Sequence, residues 1–152
     1  TGFLQKCSRL PTANSTDRNN FARLIQITDN LENLSDECSS IMHTIGKFFS
    51  AYDDSDKDIK PKRTKEISDY LEMVRIFYEQ ICIYLSTGIS SEERLNAEII
   101  EQKIDDKKKT LRRLSRKRIE NGSDVKIELN YIDLVRKIEK AGDCAFSIVQ
   151  VS

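Results

Sequence analysis

The chain has 152 residues, long enough for one domain with a hydrophobic core and short for two. Lysine plus arginine and aspartate plus glutamate each number 25, so the net charge is zero although 33% of the residues are charged. That balance gives no general reason to expect a nucleic-acid partner, whose phosphates favour a surplus of positive charge.

Only five glycines and two prolines interrupt the chain, which favours long helices. Residues 1–20 read as an N-terminal extension or loop, with Pro11, Asn14, Ser15 and Thr16 as turn material and Asp17 as a candidate helix cap. The first long segment then carries Leu24, Ile27, Leu31, Leu34, Cys38, Ile41, Ile45 and Phe48 at alternating spacings of three and four, one stripe of a helix. The acidic stretch Asp53-Asp54-Ser55-Asp56-Lys57-Asp58 reads as a linker, and Pro61 suits a turn or a first helical position. A second stripe follows in Ile67, Tyr70, Leu71, Val74, Phe77, Ile81, Tyr84 and Leu85, stopped by Thr87-Gly88.

Ser90 or Ser91 can cap a third helix, because Glu93 lies three residues beyond Ser90 and allows a capping box. The stripe of this helix is Ala97, Ile100, Ile104, Leu111 and Leu114, with Ile119 less well aligned; its later half is basic, and Asn121-Gly122 ends it. The fourth pattern comprises Ile127, Tyr131, Leu134, Val135, Ile138, Gly142, Ala145 and Val149. Four amphipathic segments joined by short polar links predict an all-α antiparallel helical bundle, a single domain over residues 1–152 with shallow, coiled-coil-like packing.

Chemistry-bearing residues are sparse. The only histidine, His43, has no serine or cysteine arrangement around it that would make a nucleophile, so it reads as structural or surface, and the chain reads as no enzyme. A ferritin-like di-metal site needs inward Glu-x-x-His motifs that His43 does not provide. Cys7, Cys38, Cys82 and Cys144 are far apart without a CxxC pair, so no zinc site is expected; their even number leaves disulfides open, with a reducing compartment the better reading. No apolar run approaches 18 residues and no signal-peptide start is present, so the chain as given is expected to be soluble, without a transmembrane segment. Beginning at Thr1-Gly2, it reads as a piece of a larger protein.

The carboxylates carry a pattern. Glu32 and Asp36 stand four apart in the first segment, with Asp29 three residues before Glu32; Glu101 and Asp105 repeat the spacing in the third segment, and Glu139 and Asp143 in the fourth. Each pair shares one helix face, and facing pairs from two helices offer the convergent oxygens that a hard cation requires. The same spacing also arises on ordinary solvated helix faces. The basic cluster Arg112, Arg113, Arg116 and Lys117 is either a solvated face or a contact for an acidic partner or an anionic membrane.

Residues Leu31-Glu32-Asn33-Leu34-Ser35-Asp36-Glu37-Cys38-Ser39-Ser40-Ile41 and Tyr131-Ile132-Asp133-Leu134-Val135-Arg136-Lys137-Ile138-Glu139-Lys140-Ala141-Gly142-Asp143, with Glu101-Gln102-Lys103-Ile104-Asp105 between them, resemble the helical E-x-x-x-D signature of the PhoU family. The likeness is specifically to the PhoU-like portion attached to bacterial sodium/phosphate cotransporters, and it covers roughly residues 21–150. It implies a three-helix repeat preceded by the last helix of another repeat. It also implies a divalent or trivalent metal ion at Glu32, Asp36, Glu139 and Asp143, joined by Glu101 and Asp105, with the identity of the metal left open. The function implied is regulation of phosphate transport or homeostasis through contact with a membrane-embedded transporter portion, at the cytoplasmic face of the bacterial inner membrane, with self-association as a further contact. The alternative is a structural or protein-interaction bundle without metal.

Overall fold

The structure, a computed structural model, describes residues 2–9, 14–50 and 60–151. The described residues form five helices and no strand: α1 (Gly2–Ser8), α2 (Ser15–Ser50), α3 (Lys60–Thr87), α4 (Ser91–Glu120) and α5 (Val125–Val151). The four long ones are the four expected segments, and α1 is an added helix inside the stretch expected as extension or loop. The acidic linker at 53–58 and Pro11 lie outside the described residues.

Local sequence chemistry sets the boundaries. Asn14, rather than Asp17, caps α2: its side-chain oxygen accepts from Asp17 N at 2.8 Å, and its own N–H donates to the Asp17 carboxylate at 3.2 Å. The Ser90–Glu93 capping box opens α4, with both reciprocal bonds formed. That helix closes where Gly122 N donates to Ile119 O and Ser123 N to Arg118 O, a pattern that requires the positive φ of 91° at Gly122. Asp124 starts α5 by accepting from Ile127 N at 3.0 Å.

The helix at the centre is α5. Every residue of its expected stripe is buried, and it packs against α2, α3 and α4. Ties from α4 run Lys108 to Glu139 and Ser115 to Glu128, so α4 is antiparallel to α5. Those from α3 run Arg63 to Glu128 and Tyr78 to Ala141, so α3 is parallel to it. On the other side Lys140 meets Glu37 and Lys137 meets Thr44, which makes α2 antiparallel as well. A three-helix unit of α3, α4 and α5 thus carries α2 laid along α5, with a groove of about 420 Å³ lined by Ile45, Phe48, Ile67 and Leu71 between α2 and α3.

The stripe of α2 is only partly covered. Ile41 and Phe48 are buried, but Leu24 and Leu31 are 47% and 50% exposed. The end of α5, at Gln150 and Val151, lies across a shallow pocket from Gln26, Asp29 and Asn30 of α2. Residues 15–25 therefore run past it by roughly 16 Å at about 1.5 Å per residue, and α2 also has α1 as a neighbour.

Gly142 of α5 faces both α3 and α4: an added Cβ would lie 3.3 Å from Ile104 Cγ2 and 3.9 Å from Val74 Cγ2. Two effects oppose each other in Gly142→Ala: the helix gains about 0.8–1.0 kcal/mol of propensity, while Ile104 must yield by a few tenths of an ångström. Their near cancellation predicts a change in unfolding free energy of less than about 1 kcal/mol by urea titration, whereas Gly142→Leu, overpacking the same spot, is expected to cost about 1–3 kcal/mol.

Candidate functional site

Two clusters of charge lie along the α4–α5 seam. The first gathers four of the six carboxylates that the sequence pairs four residues apart. Glu101 and Asp105 on α4 face Glu139 and Asp143 on α5, and Lys108 stands among them, its Nζ 2.8 Å from Asp105 and 2.9 Å from Glu139. Lys109 adds a second contact to Asp105 at 2.8 Å. Burial of the Lys108 ammonium would lower its pKa, but its bonds to Asp105 and Glu139 outweigh this and hold it above the ordinary lysine value. Hydrogen bonds from Lys108 and Lys109 hold Asp105 below the usual carboxylate range. The other pair is less well compensated: burial, then Asp105 and Glu139, pushes Glu101 up, and burial, then Glu139 and Glu101, pushes Asp143 up to about 6. Tyr70 closes the inner side, donating its hydroxyl to Ile104 O at 3.0 Å; burial and the nearby Glu139, Asp105 and Asp143 keep the phenol protonated.

The sign of the Asp143 effect follows from linkage. A carboxyl whose folded pKa lies above its ordinary value binds more protons folded than unfolded between the two values, so stability falls as pH rises from about 4 to about 6 and stays lowered above that. Asp143→Asn is therefore expected to raise the urea midpoint at pH 7 and leave it nearly unchanged at pH 4; a lower midpoint at pH 7 would contradict the assignment.

The remaining two carboxylates are elsewhere. Glu32 and Asp36 are exposed on α2 and make no hydrogen bond or ion pair among the described residues. The α2 carboxylate that does reach α5 is Glu37, 2.8 Å from Lys140. Glu32 and Asp36 are thus not drawn to Glu139 and Asp143, because the face of α2 that turns to α5 carries Glu37, Ile41, Thr44 and Phe48. Among the described residues no group of three or more histidine, cysteine, aspartate or glutamate side chains could hold a metal ion. With Lys108 already seated between Asp105 and Glu139, the residues as placed do not fit the ion that the PhoU resemblance implies.

The second cluster was not anticipated from the sequence. Glu128, fully buried, accepts from Arg63 Nε at 2.7 Å, Arg118 Nε at 2.9 Å, Ser115 Oγ at 2.5 Å and Ser123 Oγ at 3.1 Å. Arg63 is itself fully buried and also donates to Ser123. Arg118 reaches Glu66 at 3.1 Å and lies with its Cζ 4.7 Å from the centre of the Tyr131 ring, while Tyr131 donates its hydroxyl to Glu66. The Nη2 of Arg118 is buried without a hydrogen-bond acceptor among the described residues, while the guanidinium as a whole lies over the electron-rich Tyr131 ring. Signals for this network existed: Arg63 lies four residues before Ile67, and Ser115 four after Leu111, so polar groups sit on apolar stripes. Such placement means that each needs a partner across the core.

His43 is exposed, and Cys7, Cys38, Cys82 and Cys144 are all free thiols. None of the described helices is long and apolar enough to cross a membrane. Compared with known proteins, the chain matches no family model, no curated protein and no solved structure.

Proposed function

We propose that this chain is a PhoU-type regulatory domain that acts on phosphate transport by helix contacts with a membrane-embedded transporter portion, at the cytoplasmic face of a bacterial membrane. The observation that carries the reading is the placement of the two E-x-x-x-D segments: they lie on α2 and α5, a packed antiparallel pair, with α3, α4 and α5 as a three-helix unit and α2 as a helix added to it. This is the arrangement that the resemblance implies for one repeat preceded by the last helix of another. Helix α2 is held to the α3–α5 unit through α5, which makes it the element whose docking a partner is best placed to alter; packed helices move between discrete arrangements rather than deforming continuously.

The test is deletion of residues 15–151 from the gene that encodes them, with phosphate uptake followed in phosphate-rich and phosphate-poor medium. The expected result is uptake that no longer adjusts to phosphate supply, and adjustment as in the parent strain overturns the proposal. The presence of Lys108 among the four carboxylates favours a second reading, an interaction bundle that works without metal. Capture of the same partner after chelation, and by a variant with alanine at Glu101, Asp105, Glu139 and Asp143, would support it over an ion-dependent regulator.

A further inference from the structure

Several exposed cations on this molecule are paired with acids on the same or a neighbouring helix. Lys65 pairs with Asp69, Arg75 with Glu72 and Glu79, Arg136 with Asp133, and Lys140 with Glu37. The second half of α4 departs from this. From 107 to 119 it has eight cations and no acid. Lys108 and Arg118 turn inward to their carboxylates and Lys109 reaches back to Asp105. Arg112, Arg113, Arg116 and Lys117 are exposed and make no hydrogen bond or ion pair among the described residues. Spaced at one and four, they form two adjacent rows on the solvent face, opposite the core row of Ile104, Leu111 and Ser115.

Beside these rows α5 presents apolar side chains to water. The ties of Ser115 to Glu128 and of Lys108 to Glu139 fix the antiparallel register, which sets Arg116 level with Leu129. Leu129 is 57% exposed and Val125, one turn before it, 53%. Both lie on the flank of α5 next to the row that carries Glu128 and Glu139 toward α4. Unpaired guanidiniums flanked by exposed aliphatic side chains are the composition of a surface that meets anionic headgroups and dips short apolar groups into the interface.

We infer that this face of α4, with Val125 and Leu129 of α5, docks on an anionic phospholipid bilayer. The composition favours a bilayer over an acidic peptide: beside the cations stand the exposed aliphatic side chains Val125 and Leu129, which the interfacial region of a bilayer takes up and a chain of carboxylates does not. Guanidiniums suit the phosphates, since each offers a planar pair of donors to two oxygens. The inference rests on this face alone and is independent of the role in phosphate transport.

The experiment is co-sedimentation of the full chain with phosphatidylcholine vesicles, with and without phosphatidylserine at about one lipid in three. Binding is expected only with phosphatidylserine and is expected to fall steeply with added salt. Each cation near such a surface contributes about fivefold, so Arg112→Gln with Arg116→Gln is expected to weaken binding about 25-fold with the helical circular dichroism unchanged. Leu129→Ser, which leaves the charge intact, is expected to weaken it severalfold. The proposal is overturned by absence of binding to the serine-lipid vesicles, by equal binding to neutral ones, or by undiminished binding of the double arginine variant. Polyglutamate that holds the chain more tightly than the vesicles do would assign the face to an acidic protein partner and overturn it too.

Discussion

Replacing Glu128 with alanine is expected to cost the fold about 3–5 kcal/mol, because it strips the shared acceptor from two guanidiniums inside the bundle and leaves Arg63 fully buried without its carboxylate. Domains of this kind are stable by about 5–15 kcal/mol, so the variant loses a large part of what holds it folded. A urea titration reads this as a lower midpoint with an unchanged slope. Glu128→Gln separates shape from charge: it keeps the volume and an oxygen for Ser115 but not the negative charge, and a loss close to that of the alanine variant is expected. An unfolding free energy within about 1 kcal/mol of the parent for both would mean that the arginines find other acceptors and that the network does not hold α3, α4 and α5 together.

The same residue sets an acid limit. Burial pushes the Glu128 carboxyl up, but its bonds from Arg118, Ser115 and Arg63 outweigh this and leave it below the ordinary glutamate value. A group with a depressed folded pKa contributes stability that is fully present above its unfolded pKa, about 4.3 for glutamate, and is lost as pH falls through the folded value. Asp143 works in the opposite direction between about 4 and about 6. Stability is therefore expected to rise modestly on mild acidification, as Asp143 takes up its proton, and to fall below pH 4 as Glu128 does. In Glu128→Gln the acid limb flattens while the mild rise remains.

How far the sequence could be read depended on which question was asked of it. Periodicity located α5 almost residue by residue, because a helix packed on several sides buries its whole stripe, and Ile127, Tyr131, Leu134, Val135, Ile138, Gly142, Ala145 and Val149 are all buried. For α2 the same periodicity promised too much: Leu24 and Leu31 lie on the stripe but are half exposed, since the pattern of one helix carries no information on how far its neighbour extends. The Glu-x-x-x-Asp spacing showed which carboxylates share a face but not which helix that face meets. The PhoU resemblance implied that the carboxylates of α2 join those of α5, whereas the structure brings the carboxylates of α4 to those of α5. Lys108 lies three residues beyond Asp105, on the same face as the carboxylate row of α4, and its role as counter-ion becomes visible only once Glu139 is brought opposite.

That counter-ion can be removed, and the consequence distinguishes a closed salt-bridge cluster from a latent cation site. In Lys108→Met the aliphatic stem stays, while Asp105 and Glu139 lose a partner in a place where each is mostly buried. The expected cost at pH 7 is about 1–3 kcal/mol, less than for Glu128 because both carboxylates keep an edge in water and Lys109 still reaches Asp105. Protonation relieves the repulsion, so the deficit is expected to shrink at pH 5. A hard divalent cation can relieve it as well, since Glu101, Asp105, Glu139 and Asp143 then supply oxygens with nothing positive between them. Millimolar calcium or magnesium is accordingly expected to raise the melting temperature of Lys108→Met by several degrees and leave the parent protein unmoved. Adding Glu139→Gln to Lys108→Met should abolish the calcium effect while restoring part of the lost stability, because the repulsion and the ion site share that carboxylate. If calcium stabilised the parent and the Lys108 variant alike, the lysine would not be occupying the position of the cation. If it stabilised neither, the four carboxylates would be too far apart to act as one donor set even when nothing stands among them.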